Sequence, residues 1–183
     1  MITVLILGIL MSIGIPQMSD WLRRSSVSAA AEFLQNGLRQ AITEAIRRNL
    51  RVEFLLTNDM PTVSGVVSLT PSRDGANWAA RTQAVPEGDV SHVASLAMKE
   101  ISAEVKVSGP ASLWFNGMGR VSDADGVAIS ANQVYRVTRV GSDRAVCVFV
   151  TPGGAVKSCD PSLPEGHLSA CLPRVLPAQC AEP

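Results

Sequence analysis

The chain has 183 residues, 46% of them hydrophobic and 17% charged, with 16 basic and 16 acidic side chains. That much apolar material excludes a disordered chain and allows one compact domain plus an appendage. The zero formal charge excludes a strong long-range field for nucleic acid or an anionic surface.

The charges are unevenly distributed. Met1 to Ser19 carries none, and the first are Asp20, Arg23 and Arg24. A charge-free run of this length, made mostly of Leu, Ile, Val, Met and Gly, reads as a membrane-spanning helix. A cleaved secretory signal fits poorly, because no basic residue precedes the run and no small-residue cleavage site follows it before Trp21 and Arg23. From Ser25 the helical pattern becomes amphipathic. Val27, Ala30, Leu34, Leu38, Ala41, Ile42, Ala45 and Ile46 recur at spacings of three and four, so they share one face. Glu32, Gln35, Arg39, Gln40, Glu44, Arg47 and Arg48 fall largely elsewhere. One helix from Met1 to about Asn49 would be about 70 Å long. Pro16 should kink or locally melt it, helped by Gly8, Ser12 and Gly14; Gly37 is the one break in the amphipathic half.

After Asn49 the period changes to two. Val52, Phe54 and Leu56 alternate as in a half-buried strand. Residues 63–70 (VSGVVSLT) form a second β-rich run, and 71–102 read as a variable loop region with one or two short elements. Further strands are expected at 103–109, 113–115, 127–129, 135–140 and 145–150. The fold class is α+β: a long N-terminal helix, apolar then amphipathic, packed on an antiparallel sheet. The expected division is 1–24 for the apolar half and 25–183 for a head. The head would comprise helix 25–50, a β-rich part 51–160 and a disulfide-closed tail 161–183.

Cys147, Cys159, Cys171 and Cys180 all lie in the last fifth of the chain, as disulfides in an oxidising compartment would. Cys147 and Cys159 are equidistant from Gly153 in a hairpin turning at Pro152-Gly153-Gly154. That spacing predicts a Cys147–Cys159 bond across the strands and leaves Cys171–Cys180. The two other pairings stay open.

No catalytic constellation emerges. His92 and His167 have no Cys or carboxylate at ligand spacing, and neither a G-x-S-x-G elbow nor a phosphate loop is present. The expectation is a non-enzyme without a cofactor. A membrane-anchored periplasmic protein of another kind is the remaining alternative. Asp123 and Asp125 beside Gly126 could begin a calcium loop, but the later ligands are missing, and an Asp-Gly turn accounts for them.

The helix with Gly8 and Pro16, its LRQAITEAIRRNLRVEF junction (Ala45, Arg48, Asn49, Val52), LWFNGMGRVSD and RAVCVFVTPGGAVKSC together resemble the GspH/FimT branch of type IV pilins and type II secretion pseudopilins. The resemblance implies assembly through Leu5, Gly8, Leu10, Gly14 and Pro16 with other pilin subunits, as a minor subunit of a pilus or pseudopilus. It also implies an inner-membrane stage before assembly, a periplasmic head, an assembly platform and a prepilin peptidase. Such proteins carry Gly-Phe-Thr-Leu-Ile-Glu just before the apolar run, so that stretch is expected upstream of Met1. Some FimT-type relatives capture DNA through basic residues on the closing hairpin. Here that stretch is GGAVKS, so Lys157 with Arg136, Arg139 and Arg144 is the candidate DNA contact.

Overall fold

The computed structural model describes residues 2–83, 90–101, 104–142, 144–172 and 180; of the helix side chains it describes Met18 and those from Trp21 onward. A helix, α1 (Ile2–Arg48), leads the chain. Its backbone is helical through Pro16, with no melted turn there. Side chains at Leu5, Gly8, Leu10, Gly14 and Pro16 lie outside the described residues. Among the described residues, no helix is long and apolar enough to cross a membrane.

The helix ends where the sequence supplies its terminator. Asn49 takes φ 51°, the left-handed conformation that asparagine tolerates better than most residues. The Leu50 N–H then donates to Ala45 O and the Asn49 N–H to Ile46 O, both at 3.2 Å. This pair of bonds satisfies two terminal carbonyls and reverses the chain. The next strand therefore runs back along the helix.

Among the described residues nine strands follow: β1 (Arg51–Thr57), β2 (Asn77–Gln83), β3 (Ser91–Ala97), β4 (Val105–Ser108), β5 (Ser112–Phe115), β6 (Val121–Ser122), β7 (Gln133–Arg139), β8 (Ala145–Val150) and β9 (Val156–Cys159). They form two antiparallel sheets rather than the expected one. Their orders are β3-β2-β1-β5-β6 and β4-β7-β8-β9. The short helix Met98–Glu100 leads out of the first toward the second. At the opposite end the Val121 N–H donates to Pro152 O at 3.0 Å, joining the two again.

One core lies between α1 and both sheets. It contains Val27, Ala30, Leu34, Leu38, Ala41 and Ala45 from the helix, and Val52, Phe54 and Leu56 from β1. Tyr135 and Val137 of β7 and Val146, Val148 and Val150 of β8 complete it. Ile46, expected on the buried stripe, is 52% exposed, because the helix is ending and the core has already turned away. Residues 63–70 are not a strand: Val66–Ser68 is a short 3₁₀ turn. Its Val66, with Leu69, packs on Leu55 and Ala79, on the face of β1 and β2 away from the helix. The expected strand at 127–129 is reduced to a single bridge between Ser122 and Ala128.

Candidate functional site

The structure holds three groupings that could serve function: the two faces of α1, the outer face of the second sheet with its cysteines, and the base of the head beside Arg24. The helix faces are opposed. At roughly 100° per residue, Met18 lies about half a turn, and Leu22 and Phe33 about a third of a turn, from the stripe centred on Val27, Leu34 and Ala45. The stripe is buried, whereas Met18, Trp21, Leu22 and Phe33 are 47–64% exposed. The helix thus spends one face on its own head and keeps large apolar side chains on the other.

The helix-to-head contact is fixed by a residue that weakens helices. A Cβ at Gly37 would fall 2.4 Å from Cη2 of Trp78. Only glycine lets the indole lie this close to the helix. Trp78 stacks on Phe54, with centroids 5.3 Å apart, and Phe54 meets Tyr135 edge-on at 6.0 Å. This chain of rings runs from α1 through the first sheet to the second, an arrangement aromatic pairs favour. Tyr135 is fully buried, and that burial pushes its phenol well above the usual range.

The cysteines gather on the outer face of the second sheet. Cys147 and Cys159 are register partners, as expected. They are not bonded to each other: the disulfides are Cys147–Cys180 and Cys159–Cys171. The expected pairing is therefore corrected. Sulfurs of Cys147, Cys159 and Cys171 lie within 4.8 Å of one another, so cross-strand opposition alone does not select partners. Cys171 and Cys180 lie at the same place. With Cys180, Cys147 and Cys171 form a small buried cluster beside Val134 and Phe149.

The four basic residues proposed for DNA do not form one patch. Arg139 shares the helix-facing side of β7 with Tyr135 and Val137. It donates to Glu104 Oε2 at 2.7 and 2.9 Å and to Ser26 Oγ at 3.0 Å. Arg144 Nε donates to Asp160 Oδ2 at 2.7 Å. Arg136 lies on the outer face, across from Cys147. Lys157 is exposed, across from Phe149. Two of the four cations are thus already neutralised, which leaves a weak footprint for phosphates.

Asp123 and Asp125 sit in a closed turn. Asp123 Oδ1 accepts the Val127 N–H at 2.8 Å, and Gly126 takes φ 86°. The turn's outward carbonyls are occupied too: Arg51 donates to Asp123 O at 2.6 Å and to Ala124 O at 3.0 Å. A guanidinium therefore stands where calcium would need carbonyl oxygens. Arg51 also lies over the Trp114 ring, 4.8 Å from its centroid. This clamp was not legible beforehand, since nothing near Arg51 in sequence marks its partner. The histidines remain separate, His92 paired with Ser95 Oγ and His167 accepting the Ser169 N–H.

At the base of the head, Arg24, Arg144, Asp160, Ser162 and Leu163 line a cavity of about 250 Å³. Burial alone would raise the Asp160 carboxyl. The Ser162 hydroxyl and N–H, with Arg144, outweigh it and hold the group below its usual value. Nearby, Arg23 donates to Gly141 O at 3.2 Å, tying the helix to the β7–β8 turn.

A long N-terminal helix whose second half is packed on an antiparallel β head is the fold of pilin-like proteins. The family model of the type II transport protein GspH matches residues 30–154, from the amphipathic half of α1 to the β8–β9 turn. The chain belongs to that GspH family. Two crystal structures of the type IV minor pilin FimU of Pseudomonas aeruginosa share the fold. One is 12% identical, covering 72% of this chain and 90% of that one, with a TM-score of 0.50. The other is 13% identical, covering 75% and 90%, with a TM-score of 0.54. No curated protein matches the chain.

Proposed function

We propose that this chain is a minor subunit of a pilin-type filament, a type IV pilus or a type II secretion pseudopilus, assembling through α1. The observation that carries this is the opposed faces of the helix: Leu34 and Leu38 bind the head while Met18, Leu22 and Phe33 remain exposed. Met18 lies within the charge-free run of Met1 to Ser19, and Leu22 and Phe33 follow it beyond Asp20. A helix that is apolar all round belongs in lipid or among other helices. In this reading the run sits in the inner membrane with the head periplasmic, is processed by a prepilin peptidase, and is passed through an assembly platform to other subunits. Membership of the GspH family supports a filament role over an enzymatic one. The test is incorporation. Leu22→Glu and Phe33→Glu chains should fold normally yet be absent from sheared filaments or from crosslinked complexes with sister subunits. Normal incorporation of both would overturn the reading.

A further inference from the structure

We propose that the cavity between Arg24 and Arg144 binds the phosphate of a lipid headgroup, fixing the head at the bilayer surface before assembly. The inference rests on the membrane stage of the reading above. Three observations support it.

The first is charge. Arg144 and Asp160 cancel as a pair, bonded at 2.7 Å through Arg144 Nε. That leaves Arg24 as the net charge of the cavity. Among the described residues, the Arg24 guanidinium has no hydrogen-bond partner, although Arg23 beside it is tied to Gly141. Arg144 uses only Nε on Asp160, so its terminal N–H groups remain to meet an anion. Guanidinium groups bind phosphate oxygens through paired N–H donors.

The second is shape. The cavity of about 250 Å³ is walled by Ser162 and Leu163 as well as the two arginines. The Ser162 hydroxyl is taken up by Asp160 Oδ1 at 2.5 Å, so the donors offered to a phosphate oxygen are the guanidinium N–H groups, and Leu163 gives an apolar wall toward acyl chains.

The third is depth. Ser19 ends the charge-free run. Arg24 lies five residues further, about 7 Å along the axis. The headgroup layer is roughly 5–7 Å thick on each side of the hydrocarbon core. Trp21, 64% exposed between them, is the residue type that marks this boundary. A chain inserted to Ser19 would therefore hold Arg24 at the level of the phosphates.

The test uses the full chain in vesicles of phosphatidylglycerol and phosphatidylcholine in equal parts. The chain is then extracted into mild detergent, and retained lipid is counted by native mass spectrometry. Phospholipid should be retained in preference to diacylglycerol, which lacks the phosphate. Arg24→Gln should lower retention about tenfold, as loss of a charged hydrogen bond implies. Arg24→Lys should restore part of it. Arg23→Gln removes the same charge one residue away and should leave retention near wild type. Equal losses in Arg23→Gln and Arg24→Gln would reduce the effect to surface charge and overturn the cavity. Unchanged retention in Arg24→Gln would also overturn it. Arg24-dependent binding of inorganic phosphate alone, equal in strength to the lipid, would make this a free-anion site and overturn the lipid assignment. Resistance to carbonate extraction, measured on the same vesicles, reports insertion separately. A chain that inserts but retains no phospholipid sinks only this inference; one that does not insert sinks the membrane reading as well.

Discussion

Trp78 occupies the space in which a side chain at Gly37 would stand, with Cη2 2.4 Å from the ideal Cβ position. Gly37→Ala should therefore destabilise the protein by about 1–3 kcal/mol, because the indole or the helix must shift in a packed core. An exposed helical Gly→Ala change would instead stabilise by up to about 1 kcal/mol. Thermal unfolding of the full chain in detergent distinguishes the two signs.

The disulfide pairing is directly measurable. Non-reducing peptide maps should recover Cys147 with Cys180 and Cys159 with Cys171. The Cys147–Cys180 bond closes 33 residues of chain. Replacing both of its cysteines with serine should cost about 3–4 kcal/mol on the loop-entropy estimate. A Cys147–Cys159 peptide as the main product would overturn this pairing.

Removing the Arg51 side chain should free the turn at residues 123–127. Arg51 donates to two of its carbonyls and covers Trp114. Arg51→Ala should cost about 1–2 kcal/mol, since two charge-assisted bonds, one half-buried and one exposed, are lost. The local signature is faster amide exchange at Gly126 and Val127. Unchanged exchange there would show that the turn closes by itself.

Acid should weaken the fold in a defined window. The Glu44 carboxyl is held down to about 2 from an ordinary 4.5, first by the hydrogen bond from Arg47 and then by Arg48, although burial opposes this. Asp160 is also held below its ordinary 3.8. Both groups bind fewer protons folded than unfolded, so their contributions are complete above about pH 4.5 and disappear as pH falls toward 2. Tm should fall across that window. Glu44→Gln should blunt the fall by less than about 1 kcal/mol, because its pair is screened by solvent. Asp160→Asn should blunt it more, since the Asp160 side chain is only 3% exposed. An acid slope unaffected by both variants would assign the transition to other groups.

The parts of the fold that were readable in advance are those with one wet face and one dry face. The stripe from Val27 to Ala45 and the alternation in β4 and β7 carried that signal, whereas β1 and β8 read as strands from their apolar residues although both of their faces are buried. In β2 it was erased. Trp78 and Ala80 face the helix, while Ala79 lies under Val66 and Leu69, so both faces are buried. The run at 63–70 misled for the related reason that its β-branched residues cover a sheet face instead of joining a ladder. Gly37 read as a flaw because its reason, Trp78, lies forty-one residues further along the chain. Among the site residues, the cysteines were legible as a group and the register of Cys147 with Cys159 was correct. Their partners were not legible, since the choice depends on where the tail docks. The ion pairs that occupy Arg139 and Arg144 join segments that sequence spacing does not connect.

The chain reversal at Asn49 has a mechanical consequence. Because β1 returns along the helix, the core contacts from Val27 to Ala45 lie side by side over about 27 Å of axis. A pull on the N-terminal end of α1 against a held head loads these contacts together, in shear. A head attached only at the tip of the helix would be peeled away one contact at a time, at lower force. The hydrogen bonds from Leu50 to Ala45 and from Asn49 to Ile46 at the far end would be the last to feel the load.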